Sequence, residues 1–348
     1  MHPFIRSVTH VALFASGMFG AAAGLRSLES MPFWSWTKNK LGAAVHQLDG
    51  CDTVFVGSSR VQYGARPEIF DERMGELGAP SKSLNLGLSG LRQYDTDQVV
   101  DWVLAHRSPS LRSLVIELHT WRQVGSAGQW FTDQEVESHT TRTAVSRLLT
   151  VLTDSQDLPR KASELTYSLL HSLGHVFRVG QGSRIVAEWM EGPDVELPPK
   201  LLADGGWRDV SRASTARMRD VHAAFLADPS AYLAQVEVKK DDLAPAWLTG
   251  TFDSDFLLEQ ARRIRAHGVE PIYVVFPTLV QDFWGRGGVA DVRDQLRILE
   301  LDDPNELVDL FQASNFYDQS HLTAEGAARF SRALADKIAP PKLTTAIR

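Results

Sequence analysis

Asp52-Thr53-Val54-Phe55-Val56-Gly57-Ser58-Ser59-Arg60 decides how this chain is read. Thr53–Val56 is a short β-branched and aromatic run that stops at a glycine. Such a run reads as a short apolar strand. A serine just past the strand end lies where doubly wound sheets bind their ligands. The plainer alternative is that Ser58 or Ser59 only caps the next helix.

Outward from this stretch, strands and helices alternate. Further strands are predicted at Ser83–Leu86, Ser113–Leu118, Pro271–Phe276 and Leu307–Leu310. Helices are predicted at Lys38–Leu48, Pro67–Leu77, Asp95–Ala105, Ser254–Ala266 and Val289–Leu299, with a last one from about Thr323 to Ile338. Alternation of this kind implies an α/β class chain with a doubly wound parallel sheet in a three-layer α/β/α arrangement. It lapses between Trp121 and about Ala246. There Leu165, Leu169, Leu173, Val176 and Phe177 recur at helical spacing within a predicted helix Leu158–Phe177, and Ser211–Leu226 reads as another. The division expected is an N-terminal segment 1–30, a first α/β part 45–124, a mostly helical insertion 125–245 and a second α/β part 246–340.

Composition narrows the function. The chain has 348 residues, 43% hydrophobic, and a net charge of −7, which argues against a nucleic-acid partner. Its one cysteine, Cys51, excludes an internal disulfide and a multi-cysteine metal site. Val8–Leu25 carries no formal charge and is bounded by Arg6 and Arg26. It reads as a single-pass membrane anchor with an extracytoplasmic body, or as a signal segment cleaved after Ala23. A buried core helix, in a soluble intracellular protein, is the remaining reading.

Two further segments carry chemistry. Asn85-Leu86-Gly87-Leu88-Ser89-Gly90 ends the second predicted strand, where glycine lets backbone N–H groups approach a ligand. Asp318-Gln319-Ser320-His321 places a carboxylate within a turn of a histidine, just before the last helix. A carboxylate against Nδ1 fixes the imidazole tautomer and leaves Nε2 free to take a serine proton. Serine, base and orienting acid are the minimum for nucleophilic acyl transfer. The plainer reading of Asp318–His321 is a surface turn capped by Thr323.

In order and local setting, these three segments resemble the SGNH (GDSL-like) hydrolase superfamily, over about residues 50–122 and 250–340. The resemblance implies Ser59 as nucleophile, Asp318 and His321 as acid and base, and the N–H groups of Ser59 and Gly90 as the oxyanion hole. It implies no cofactor and no metal. Two departures stand out. Ser58 occupies the place of the usual aspartate, as in membrane-anchored members acting on cell-envelope polymers. The strand ending Ile116-Glu117-Leu118-His119-Thr120-Trp121 lacks the usual asparagine donor, so Ser58, Trp121 and Arg122 are candidate supporting groups.

The function this implies is an esterase or O-acyltransferase, with O-acetyl chemistry on an envelope or exported polysaccharide. The partners are an acylated glycan or acyl donor, the membrane through the N-terminal helix, and a membrane acyltransferase. The alternative is a catalytically degenerate scaffold serving as a binding or assembly subunit of an acyltransferase or polymer-export complex. Trp130, Trp189 and Trp207 are candidates for stacking on sugar rings, and Phe283 and Trp284 for the mouth of the site. His171 and His175 lie four apart on the long helix but lack the glutamate and third ligand of a zinc motif. Gly285-Arg286-Gly287-Gly288 follows no phosphate-loop pattern and reads as a loop.

Overall fold

A computed structural model describes residues 3–28, 35–118, 133–153, 158–191, 202, 204–241, 254–279 and 292–339. The chain divides into two compact units, Met1–Asn39 with Gln123–Glu196, and Lys40–Arg122 with Leu197–Arg348. The span expected as one insertion, 125–245, is thus shared between them.

The elements in chain order are α1 (Pro3–Leu28), α2 (Ser35–Ala44), β1 (Thr53–Val56), α3 (Ser59–Gly64), α4 (Pro67–Glu76), β2 (Ser83–Asn85), α5 (Gln93–His106) and β3 (Ser113–Glu117). They continue with α6 (Asp133–Ser138), α7 (Thr141–Thr153), α8 (Leu158–Phe177), α9 (Gly182–Glu191), α10 (Val210–Ala213), α11 (Ala216–Ala227) and α12 (Pro229–Asp241). The chain ends through α13 (Ser254–Ala266), β4 (Glu270–Val275), β5 (Arg297–Glu300) and α14 (Ala324–Ile338).

The second unit holds a five-stranded, all-parallel sheet in the order β2-β1-β3-β4-β5. Phe55 pairs with Val115, and Val115 with Ile272. These three side chains share a face and a core with Phe70 and Met74 of α4 and with Phe330 and Leu334 of α14. On the other face, the Tyr273 hydroxyl reaches the Leu257 carbonyl and Gln260 of α13, and Gln260 bonds Asp97 of α5. Helices therefore flank both faces, compatible with a three-layer α/β/α fold. In this strand order the winding across the sheet reverses between β1 and β3, so ligands are expected beyond the C-terminal ends of those two strands.

Three expectations need correction. The edge strand is Arg297–Glu300, which overlaps the end of the predicted helix Val289–Leu299. Its Ile298 and Leu299 pair with Tyr273 and Val274, and this tertiary pairing outweighs a sequence spacing that also suited a helix. Leu307–Leu310 is a turn closed by the Leu310 and Phe311 N–H groups on the Leu307 carbonyl. Ser211–Leu226 is split into α10 and α11 at Ser214, where Thr215 caps α11 through the Met218 N–H.

The first unit is helical. Its α1 packs on α8 and α9, with Ala22 buried, Phe19 4.9 Å from Phe177 between ring centres, and Arg26 donating to the Val176 carbonyl at 3.1 Å. Among the described residues no helix is long and apolar enough to cross a membrane, so the expected N-terminal membrane helix is not supported. Gly17, Gly20, Gly24 and His10 dilute the apolar run.

Candidate active site

The site begins where β1 stops. A side chain on Gly57 would place its Cβ 2.3 Å from Val61 Cγ2 and 2.6 Å from Glu117 Cβ, so only glycine fits the turn. Ser58 is extended backbone and caps α3, its Oγ accepting from the Arg60 N–H at 3.2 Å. Ser58 is buried, while Ser59, the first helical residue, is half-buried. The two serines thus part company: one holds the turn and the other is presented.

Opposite lies the loop before α14. Its ends are tied by the Tyr317 N–H to the His321 carbonyl at 2.8 Å, and by an antiparallel bridge between Phe316 and Leu322. Asp318 accepts from the N–H groups of Ser320 and His321 at 2.8 and 2.9 Å. The His321 Nδ1 lies 2.8 and 3.0 Å from the two Asp318 oxygens, and His321 Nε2 lies 2.8 Å from Ser59 Oγ. With Nδ1–H donated to the carboxylate, Nε2 carries the lone pair facing the serine hydroxyl. Burial pushes the Asp318 carboxyl upward, but the hydrogen bond and charge of His321, with the two backbone N–H groups, outweigh it and hold it below its ordinary value. A carboxylate so held stays charged to orient the imidazole.

The loop after β2 approaches α3 as backbone against backbone. A Cβ on Gly87 would sit 2.3 Å from the Gln62 nitrogen. Asn85 is fully buried, and its side chain spans the gap by donating to the Val61 and Ala65 carbonyls at 2.7 and 2.6 Å and accepting from the Gly87 N–H at 2.8 Å. Ser89 binds Gln62 Oε1 through its N–H and hydroxyl, and Gly90 follows with φ of +83°, which suits glycine.

Residues from the second half of the expected insertion brace this assembly. The Trp207 indole donates to the Tyr63 carbonyl at 2.7 Å, under the Arg66 guanidinium, so it serves as a packing residue. The Tyr63 ring meets His321 edge-on at 5.5 Å. The His222 ring of α11 stacks on Tyr317 at 4.0 Å, and its Nδ1 lies 2.5 Å from the Tyr317 carbonyl, next to Asp318. Trp189 is exposed on α9 in the helical unit. Trp121, Arg122, Trp130, Phe283, Trp284 and Gly285–Gly288 lie outside the described residues.

Among the described residues no cluster of three or more His, Cys, Asp or Glu is placed to hold a metal. His171 Nδ1 instead meets the Tyr167 carbonyl, and His175 Nδ1 the Val136 carbonyl.

Sequence reasoning passed over three residues. Glu117 is a fully buried carboxylate beneath the Gly57–Ser59 turn. Its signal was a lone charge in the apolar run Ser113–Leu118. Lys40 is buried and donates to the Gly87 and Gly206 carbonyls at 2.7 and 2.9 Å. His222 reaches the Asp318–His321 loop, at the Tyr317 carbonyl, with no signal in its own surroundings. Compared with models of known protein families and with curated proteins, the chain matches none.

Proposed function

We propose that this chain is an SGNH-type serine esterase or O-acyltransferase that moves acyl groups, acetyl in particular, on an envelope or exported polysaccharide. The observation that carries the reading is the 2.8 Å approach of His321 Nε2 to Ser59 Oγ, with Asp318 against the far side of the imidazole.

In this mechanism His321 Nε2 takes the Ser59 proton as Oγ bonds to the acyl carbon. The carbonyl electrons move onto oxygen, and the Ser59 and Gly90 N–H groups are the proposed donors to that oxyanion. Collapse expels the alcohol, which leaves with the proton held by His321, and an acyl-serine remains. Water in an esterase, or a sugar hydroxyl in a transferase, then gives its proton to His321 and attacks the acyl carbon, and His321 returns that proton to Ser59 Oγ as the acyl–Oγ bond breaks. Asp318 stabilises the imidazolium formed in both halves.

The proposed setting is the cell envelope, with α1 meeting the membrane. Its support is the uncharged run Val8–Leu25 and the exposed Leu13 and Phe14 on that helix. The second reading is the degenerate scaffold in an acyltransferase or polymer-export complex. One observation favours it: the segment Ile116-Glu117-Leu118-His119-Thr120-Trp121, in which the resemblance implies an asparagine donor to the oxyanion, carries none.

A fluorophosphonate probe with mass spectrometry separates the two. An active enzyme acquires one phosphonyl group on Ser59 and hydrolyses a small activated acetyl ester. An unlabelled, inert protein would leave the scaffold reading.

A further inference from the structure

We infer that Glu117 is the positioning residue of the nucleophile turn, and that its carboxylate is what requires serine at position 58. The inference rests on Ser59 acting as nucleophile. Strand β3 runs beside β1, with Val56 paired to Ile116, so Glu117 emerges alongside Gly57. The missing side chain of Gly57 makes room for it: a Cβ there would lie 2.6 Å from both Glu117 Cβ and Oε2.

From that place one carboxylate takes hydrogen bonds from both sides of Ser59. The Ser58 N–H donates to Oε2 at 2.5 Å, the Ser58 hydroxyl to Oε1 at 3.1 Å, and Arg60 Nε pairs with Oε1 at 2.5 Å. Glu117 is fully buried and Arg60 and Ser58 nearly so. Charge-assisted bonds in such surroundings are strong, and a buried carboxylate without them is costly. Residues 58 and 60 are therefore both anchored, and the backbone of Ser59 between them is fixed while its side chain faces His321.

The same geometry explains the departure at position 58. Ser58 Oγ donates to Glu117 and accepts from the Arg60 N–H. Alanine does neither. An ionised aspartate accepts but cannot donate, and would set a second carboxylate against the first, a pair that holds a proton or breaks apart. Serine at 58 and glutamate at 117 are thus one choice.

The test compares Ser58→Ala, Ser58→Asp, Glu117→Gln and the double variant Ser58→Asp/Glu117→Gln with the wild type. Readouts are kcat and KM on a small acetyl ester, the fluorophosphonate labelling rate, and the urea midpoint. Glu117→Gln should lower kcat about 10–100-fold with KM little changed, as loss of positioning in the transition state does. Ser58→Asp should be clearly worse than Ser58→Ala in kcat and urea midpoint. The double variant, with one carboxylate restored and an amide to donate to it, should recover at least about tenfold over Ser58→Asp.

Wild-type kcat in Glu117→Gln, equal effects of Ser58→Ala and Ser58→Asp, or a double variant no better than the sum of its parts overturns the inference. Should Glu117→Gln fail to fold, the two Ser58 single variants still decide it. A wild type that is neither labelled nor active instead defeats the function proposed above. The Ser58–Glu117 coupling is then read from the four urea midpoints, and additive midpoints overturn it.

Discussion

The two units treat burial differently. In the sheet-bearing unit, buried polar side chains near the site are fastened to backbone turns: Asn85 to the Val61 and Ala65 carbonyls, Lys40 to Gly87 and Gly206, Glu117 to the Ser58 N–H. In the helical unit, Glu137 and Arg178 pair in the interior, while Leu148, Leu152, Leu169, Leu173, Trp189 and Met190 stand exposed on α7, α8 and α9, and Leu13 and Phe14 on α1. Burial in the sheet-bearing unit fixes the backbone around Ser59. In the helical unit it holds helices together and leaves apolar side chains exposed on α1, α7, α8 and α9. The sheet-bearing unit should therefore respond to perturbation through chemistry, and the helical unit through what it adheres to.

The sharpest break would come at Ser59. Ser59→Ala should lower ester turnover at least about a thousandfold while the urea midpoint stays near wild type, because the half-buried hydroxyl is presented to His321. Ser58→Ala should cost far less turnover and more stability. The reverse pattern, an active Ser59→Ala beside a dead Ser58→Ala, would move the nucleophile by one residue.

Asp318→Asn comes next, with kcat down by about a thousandfold to ten-thousandfold and KM nearly unchanged. The acid also couples to pH. Its carboxyl is held below the ordinary value, so its contribution to stability is complete above the ordinary carboxylate range and is lost as pH falls through the folded value. Acid denaturation of Asp318→Asn should lack that component. Near-normal turnover in Asp318→Asn would remove this residue from the mechanism.

These residues were legible because each sits where a local rule is visible. The glycine ending Thr53–Val56 and the Asp318–His321 loop before a helix mark strand and helix ends, and α/β alternation orders the strands between them. What was not legible depended on contacts between distant segments. Arg297–Glu300 becomes a strand only by pairing with β4, and its apolar residues are also spaced for a helix. Glu117 could be noticed as an odd charge, but its partners Ser58 and Arg60 lie 59 and 57 positions away. The membrane reading of Val8–Leu25 rested on its length, its place near the N-terminus and its flanking charges, whereas packing of α1 on α8 and α9 also bears on that helix.

Lys40 offers a graded probe of the sheet-bearing unit. Burial, with Arg208 nearby, pulls its amine down to about 7. The unfolded chain therefore holds the extra proton between about pH 7 and the ordinary lysine value, and folding stability rises with pH across that window. Lys40→Met abolishes this rise and leaves the Gly87 and Gly206 carbonyls without their amine, at a cost of about 1–3 kcal/mol near neutrality. The gap between wild type and variant should widen from pH 7 to 10 in urea titrations. A gap that is flat with pH would mean that the buried amine does not titrate in the folded protein.

The smallest effect on stability, and the one most particular to the helical unit, is expected on its exposed faces. Leu13, Phe14 and Trp189 are 65%, 70% and 59% exposed, so replacing them with serine removes little buried surface. Stability should stay within about 0.5 kcal/mol, the range of exposed substitutions, and small-ester turnover should not move. If α1 meets a lipid surface, the partition coefficient onto phospholipid vesicles should fall at least about a hundredfold in Leu13→Ser/Phe14→Ser, since each apolar side chain withdrawn from water contributes about 1.5–3 kcal/mol. Vesicle binding unchanged in that variant would remove α1 from membrane contact. A stability loss of about 2–5 kcal/mol, as core truncations give, would show these side chains to be buried in solution and would end the contrast between the two units.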